Sequence, residues 1–412
     1  MYRRLIHNRD FVALWTGQAI SSIGDYFSLL AIPIFINRLT GSVMLVGLSF
    51  ISGMLPVLVL GPIAGVFVDR LDRRKVMIIS DFLRGVLTLS LLTVRETSQL
   101  WIVYLASFLI SCLGQFFGPA RGAVLPLVVN DPKDWLSANG AMRILQTVGM
   151  LAGPALAGVT IGAWGERVAF VADGASFLLS AAAVWTMHIP HTVQRTGATV
   201  RSVWLDLKDG MAYLFGNRTT LGVMICMTVA TTGFATVNMI WIPYLQKTYQ
   251  VGASGLGIAD TALGLGMLLS GLLVGQITRW VSKTVMSAGG MLLTGVLYVS
   301  IVILPAFGWI IAWQFVAGLA LTPMQSALDT IVQLAVPDNK RGRVGSAMNA
   351  AYGAAGLLAM GLASLFGERI GLNLVFMAVG SLVFISGLSG FWLIREPSAP
   401  AGDASALESD GV

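Results

Sequence analysis

The chain has 412 residues, of which 56% are hydrophobic and only 11% charged, with a formal net charge of +6. Soluble globular proteins carry roughly 25% charged residues, so this sequence lacks the polar surface to cover a soluble core of its size. A soluble enzyme and a nucleic-acid-binding domain are excluded on that ground, and the chain reads as a polytopic membrane protein.

Backbone amides inside a bilayer must be paired without water, which leaves helices or a closed barrel. The apolar stretches here are continuous rather than alternating, and reach the roughly 20 residues a spanning helix needs. Twelve are predicted, at 11–37, 42–68, 76–94, 100–129, 135–163, 168–188, 220–245, 251–278, 284–305, 309–336, 343–366 and 371–394. The first starts too late and runs too long for a cleaved signal peptide. A polar connector at 191–217 separates an N-terminal six-helix bundle, 1–190, from a C-terminal one, 218–395. Residues 396–412, rich in Ala, Ser, Asp and Pro, read as a disordered cytoplasmic tail.

With the N-terminus placed in the cytoplasm, 18 of the 26 Lys and Arg fall in cytoplasmic loops and ends. Five fall outside, and Arg84, Arg121 and Arg143 lie within spans. That bias satisfies the positive-inside rule and places both termini in the cytoplasm. The expected location is the inner (cytoplasmic) membrane, and the basic excess requires no acidic or nucleic-acid partner.

An ionisable group within a span costs a few kcal/mol on insertion scales and marks a functional hypothesis. Asp25 in the first segment is the foremost, as a carboxylate able to gain and lose a proton; the competing reading is an Asp that bonds a neighbouring helix's hydroxyls or amides. Gln18 and Phe27 are candidate cavity residues on the same segment. The loop after the second segment runs Gly65-Val-Phe-Val-Asp69-Arg70-Leu-Asp72-Arg73-Arg74-Lys75. A carboxylate followed by a basic cluster can latch two helix ends through charge-assisted hydrogen bonds, although charge alone equally suits a plain topogenic loop. Asp81 and Arg84, three residues apart, are expected to neutralise one another. The fourth segment offers Phe117 and Arg121 to a cavity. In the fifth, Gly149, Gly153, Pro154 and Gly158 form a flat face with a proline that permits a bend. Asp173 in the sixth and Asp260 in the eighth lie near the outer ends and are expected to be hydrated. The seventh contributes Asn238 and Trp241, and the tenth Gln325 and Asp329. Asp329 sits near the cytoplasmic end, open between proton coupling and a structural ion pair with Arg121. Trp101 and Trp309 open spans as interfacial anchors.

The halves echo one another. Asn8-Arg9 matches Asn217-Arg218, Gly24 matches Gly233 and Ser137-Ala138 matches Ser346-Ala347, each 209 residues apart. Gly65 matches Gly275 at 210. Parallel six-helix repeats with a midplane site between them are a transporter layout.

The Gly65–Lys75 loop resembles the signature loop of the major facilitator superfamily, with Gly65, Asp69, Arg70, Arg74 and Lys75 matching and Asp72 in place of the usual second glycine. The fifth segment resembles the Gly-x-x-x-Gly-Pro motif of its proton-coupled exporters, thought to act as hinge and seal. Asn8-Arg-Asp-Phe, Gly17-Gln18, Gly24-Asp25, Pro119-Ala-Arg121 and Ser137-Ala-Asn139 are similar to the macrolide-efflux and enterobactin-exporter branch. The arginine that many drug–proton antiporters carry earlier in helix four is absent, with Ser107 near its place.

The resemblance implies an all-α major facilitator fold of twelve helices and export of small amphipathic drugs or metabolites in exchange for protons by alternating access, the chain working as a monomer. Export of one endogenous compound such as a siderophore, lysolipid flipping and a non-transporting sensor or scaffold remain as alternatives. No P-loop, nucleophile–base pair or metal cluster of the three His and two Cys is seen, so no enzymatic activity, cofactor or metal is expected.

Overall fold

A computed structural model describes residues 2–189, 199–304 and 306–394; the tail expected at 396–412 lies outside the described residues. After a short α1 (Tyr2–His7), six helices form the first half: α2 (Arg9–Thr40), α3 (Val43–Val68), α4 (Arg73–Ser90), α5 (Leu100–Val128), α6 (Trp135–Trp164) and α7 (Glu166–Thr186). A connector helix, α8 (Val200–Gly216), leads to the second half: α9 (Arg218–Tyr249), α10 (Ala253–Ile277), α11 (Lys283–Ile303), α12 (Phe307–Ala335), α13 (Arg341–Ile370) and α14 (Leu372–Leu393). Twelve of these helices are long and apolar enough to cross a membrane, and no strand occurs among the described residues. The chain is a multi-pass membrane protein of the all-α class its sequence indicated.

The helix ends repeat between the halves because the same local chemistry recurs. Asn8 caps α2 by accepting from the Phe11 amide, and Asn217 caps α9 by accepting from Thr219 and Thr220. Both helices end in a left-handed residue, Gly41 (φ 64°) and Gln250 (φ 53°). Asp72 and Ser282 cap α4 and α11 in turn. In each half two helices, α4 with α7 and α11 with α14, cross at paired glycines. A Cβ on Gly85 would sit 3.0 Å from the Gly174 carbonyl, and one on Gly295 would sit 2.7 Å from that of Gly380. Small residues at such crossings let backbones approach where lipid supplies no hydrophobic drive.

The repeat offset is not constant. It is 209 for α2 and α9, but α6 and α13 start at 135 and 341, an offset of 206. The pairing of Ser137-Ala138 with Ser346-Ala347 is therefore out of register by three residues. The cause is local: from the start of α11 to the start of α12 the chain is three residues shorter than from α4 to α5.

The connector, expected only to be polar, contains α8. Its buried Gly210 faces α13, and Arg343 of α13 pairs with Asp206 and Asp209 at 2.8 Å each. Tyr213 donates to the Ala335 carbonyl at 3.1 Å.

Candidate functional site

The start of α2 and the end of α14 lie at one end of the bundle, the terminal end, and the two halves are tied together at the opposite, far end. There Asn37 of α2 donates to Gln246 of α9 at 2.7 Å, and the Val43 amide at the start of α3 donates to Glu368 of α13 at 2.6 Å. Ser364 donates to the Met44 carbonyl at 3.0 Å, and Ser254 of α10 to the Gly158 carbonyl of α6 at 3.3 Å. Lys247 steadies Glu368 at 3.3 Å. An apolar core that includes Ile34, Phe35, Val43, Ile240, Tyr244 and Phe376 runs continuously across this seam. At the terminal end, Gly65 of α3 faces open space.

Two cavities adjoin, one of them between the halves, sharing Tyr26 and Leu29 of α2. The first, about 350 Å³, is walled by Phe50, Met150 and Pro154 from the first half and by Asn238, Trp241, Asp260, Tyr298, Trp313 and Gln314 from the second. Its aromatic wall is ordered: the Trp241 and Trp313 rings stack with centroids 5.4 Å apart, and Tyr298 lies 5.7 Å from Trp313. Trp241 and Gln314 both donate to Oδ1 of Asp260, at 3.1 and 3.2 Å.

The second cavity, about 470 Å³, belongs to the first half and is charged. Gln18, Asp25, Arg84, Phe117, Arg121 and Gln146 line it. Arg84 is the hub. It reaches Asp25 at 3.3 Å and Asp81 at 3.4 Å, and its guanidinium lies 4.0 Å over the Phe177 ring. The two acids differ in access: the Asp25 side chain is 51% exposed to the cavity, whereas that of Asp81 is fully buried. Asp173, 2% exposed, accepts from Ser28 and Ser176 beside them. Gly24 makes room for this, since a Cβ there would lie 2.1 Å from the Ser176 hydroxyl. Arg121 donates to Gln18 at 2.8 Å, and Gln18 donates to Ser180 at 3.4 Å.

Several positions depart from expectation. Asp173 is buried within the charged cluster, and Asp260 is a cavity residue tied to two donors; neither is a hydrated surface acid. Asp81 shares Arg84 with Asp25 instead of holding it alone. Arg121 is committed to Gln18, so the ion pair considered with Asp329 does not form; Asp329 lines neither cavity and has no salt-bridge partner among the described residues. Phe27 packs into the apolar core, and Gln325 lines a small side pocket of about 60 Å³ beside Phe234 and Tyr298. Phe117, Asn238 and Trp241 do face the cavities. Tyr298, Trp313 and Gln314 were missed. Their only signal in the sequence is polarity or aromaticity inside an apolar run, which lipid-facing and core residues share.

The two motifs occupy opposite ends. In the loop, Asp72 is the N-cap of α4, accepting from the Lys75 amide at 3.2 Å, which accounts for an acid where a glycine is usual. Arg73, 7% exposed, reaches Asp69 at 3.9 Å and the Ala123 carbonyl at 3.5 Å; Arg74 donates to the Trp185 carbonyl. Arg70 and Lys75 flank this buried arginine in the sequence, and no neighbour crowds Gly65. In α6, Gly149 and Gly153 face Ser22 and Tyr26 of α2, while Pro154 and Gly158 face α10 of the other half. A Cβ on Gly257 would lie 2.4 Å from the Pro154 carbonyl, and one on Gly158 would lie 2.7 Å from that of Ala253.

Comparison with known proteins agrees with this arrangement. The chain is 27% identical over 379 residues to macrolide efflux protein A of Streptococcus pyogenes, covering 90% of this chain and 93% of the relative. It is 25% identical over 402 residues to the multidrug efflux pump Tap of Mycolicibacterium fortuitum, covering 93% and 94%. Its fold matches a bacterial homologue of the human lysosomal transporter Spinster, solved inward-facing and unoccupied (TM-score 0.73, 15% identity, 95% of this chain and 98% of that one). It also matches the nucleoside transporter NupG (TM-score 0.77, 13% identity, 94% and 100%). These are transporters, not enzymes. The family description Major Facilitator Superfamily matches residues 14–238 and 223–410, and with a helical duplication built around a central cavity the chain belongs to that superfamily of transporters.

Proposed function

We propose that this protein exports amphipathic drugs or metabolites across the inner membrane in exchange for protons, by alternating access, as a monomer with both termini in the cytoplasm. The observation that carries the reading is the contiguity of an apolar, aromatic-walled cavity with a charged one through Tyr26 and Leu29. The halves meet at the far end, so the site is reached from the terminal, cytoplasmic side, and rocking of the halves would expose it to the other. Relatives named as macrolide and multidrug efflux proteins support the direction and the substrate class.

Asp25 is the proton carrier in this reading. It is the accessible acid of the Arg84 cluster, and protonating it removes the charge that holds α2 to Arg84 of α4, leaving Arg84 to Asp81. A proton thus acts on the helix that also walls the ligand cavity. Asp329, outside both cavities, takes no part. The loop with Gly65, Asp69, Arg70, Arg74 and Lys75 is the latch of the cytoplasmic ends, and the α6–α10 glycine face is the far-side seal.

The test is transport of erythromycin by the purified protein in proteoliposomes under an imposed pH gradient. Gradient-driven transport in the wild type, with D25N keeping erythromycin binding but losing the response to the gradient, is expected. Loss of binding with intact coupling in D25N would overturn the assignment of Asp25, and wild-type transport indifferent to the gradient would overturn proton antiport.

A further inference from the structure

Asp260 is a carboxylate that the protein itself does not neutralise. Both of its hydrogen bonds, from Trp241 and Gln314, fall on Oδ1, and Oδ2 accepts none among the described residues. No described Lys or Arg stands within salt-bridge distance of it. The sequence around it explains why: there is no Lys or Arg between 219 and 246, along α10, beyond Lys283 in α11, or in α12. The cavity wall from the second half therefore carries one acidic side chain and no basic one. In the adjoining cavity the first half shows the opposite design, with Arg84 shared by Asp25 and Asp81 and Arg121 nearby.

A carboxylate removed from water is stabilised by a counter-charge or by strong hydrogen-bond donors. Trp241 and Gln314 orient Asp260 but leave it without a cation. Next to it stand Trp241, Trp313 and Tyr298, all lining the same cavity, and aromatic faces attract cations electrostatically. The remaining walls, among them Leu29, Met150 and Met267, are apolar and adaptable. One carboxylate without a counter-cation, an aromatic trio and a greasy wall are what a lipophilic organic cation requires.

We infer that Asp260 is the recognition carboxylate for the positive charge of the transported ligand, and that the substrate class is lipophilic cations, protonated amines included. This rests on the export reading above and divides the labour within it: Asp25 takes the proton, and Asp260 takes the ligand's charge. Trp241 and Gln314 act as positioning residues that aim the carboxylate into the cavity.

The test uses radiolabelled tetraphenylphosphonium, a lipophilic cation without an ionisable proton, bound to the full-length protein in detergent. D260N is expected to weaken binding at least tenfold, and D260E to stay within about threefold of wild type, both with the wild-type melting temperature. D260N binding within twofold of wild type overturns the inference, and so does D260N that binds normally but loses gradient-driven transport, which would make Asp260 a proton site. If D260N and D260E lose binding alike and both melt early, Asp260 is structural and the inference also falls. Failure of the export reading is distinct: wild-type protein would then transport neither tetraphenylphosphonium nor erythromycin.

Discussion

Asn37 and Gln246, 209 residues apart, are joined by a 2.7 Å hydrogen bond, and 209 is also the offset between their helices. The bond therefore links equivalent positions of the two halves, and it lies at the end where the halves are closed. A contact of this kind breaks when the far end opens, whichever half is taken as fixed. Removing one partner should shift the protein toward the far-side-open state. A net hydrogen bond contributes about 1 kcal/mol, so N37A or Q246A should raise the open population about fivefold. The measurement is the labelling rate of a single cysteine placed at the far-end seam, compared with the same reporter in the parent protein. Unchanged labelling would count against the contact as a gate.

The α6–α10 seal predicts a steric effect of similar direction. Gly257→Ala puts a Cβ 2.4 Å from the Pro154 carbonyl, a backbone atom that cannot rotate away. Overpacking of this kind costs about 1–3 kcal/mol. G257A should lower the thermal stability of the far-side-closed state and slow transport, whereas Gly275→Ala, with open space around it, should do neither. Equal melting temperatures for the two variants would contradict the close approach.

Arg84 predicts an asymmetry between single and double variants. R84A strands the fully buried Asp81, and breaking a buried pair costs about 3–5 kcal/mol. R84A should therefore express poorly or melt early. R84A/D81N, which removes the stranded charge, should recover most of the stability while remaining unable to couple protons. Failure of the double variant to recover would assign the loss to the Asp25 pair or the Arg84–Phe177 contact instead.

The docking of α8 predicts a pH effect outside the membrane. The hydrogen bond from Arg343 holds the Asp209 carboxyl below the usual carboxylate range. A depressed carboxyl contributes stability that is present above its unfolded value and is lost as pH falls through the folded one. The α8–α13 contact should thus be unchanged from neutral pH down to about 4, the unperturbed range for Asp, and loosen only below that. Limited proteolysis within α8 as a function of pH checks it, and D209N should show at pH 7 the cleavage that the parent shows only in acid.

Much of this molecule was legible without coordinates. Hydrophobic run length alone set twelve helices, because an apolar segment in lipid has no other way to pair its backbone. Asn8-Arg9 and Asn217-Arg218, matched at one offset, already carried the duplication, and the distribution of Lys and Arg carried the expected orientation. Asp25 stood out because a charge in an apolar run is costly wherever it points.

Partners were another matter. Arg84 reads in sequence as the neighbour of Asp81 one helical turn away, yet it also holds Asp25 from another helix. Asp173 and Asp260 look alike in sequence, each an acid near a span's outer end. Only packing put Asp173 among hydroxyls and a charged cluster and Asp260 against Trp241 and Gln314 at a cation-free wall. Composition and periodicity report what each residue must do with water and lipid, one helix at a time. Which charges meet, which glycines let helices cross and which end is closed are decided by contacts between helices, and those exist only once the chain has folded.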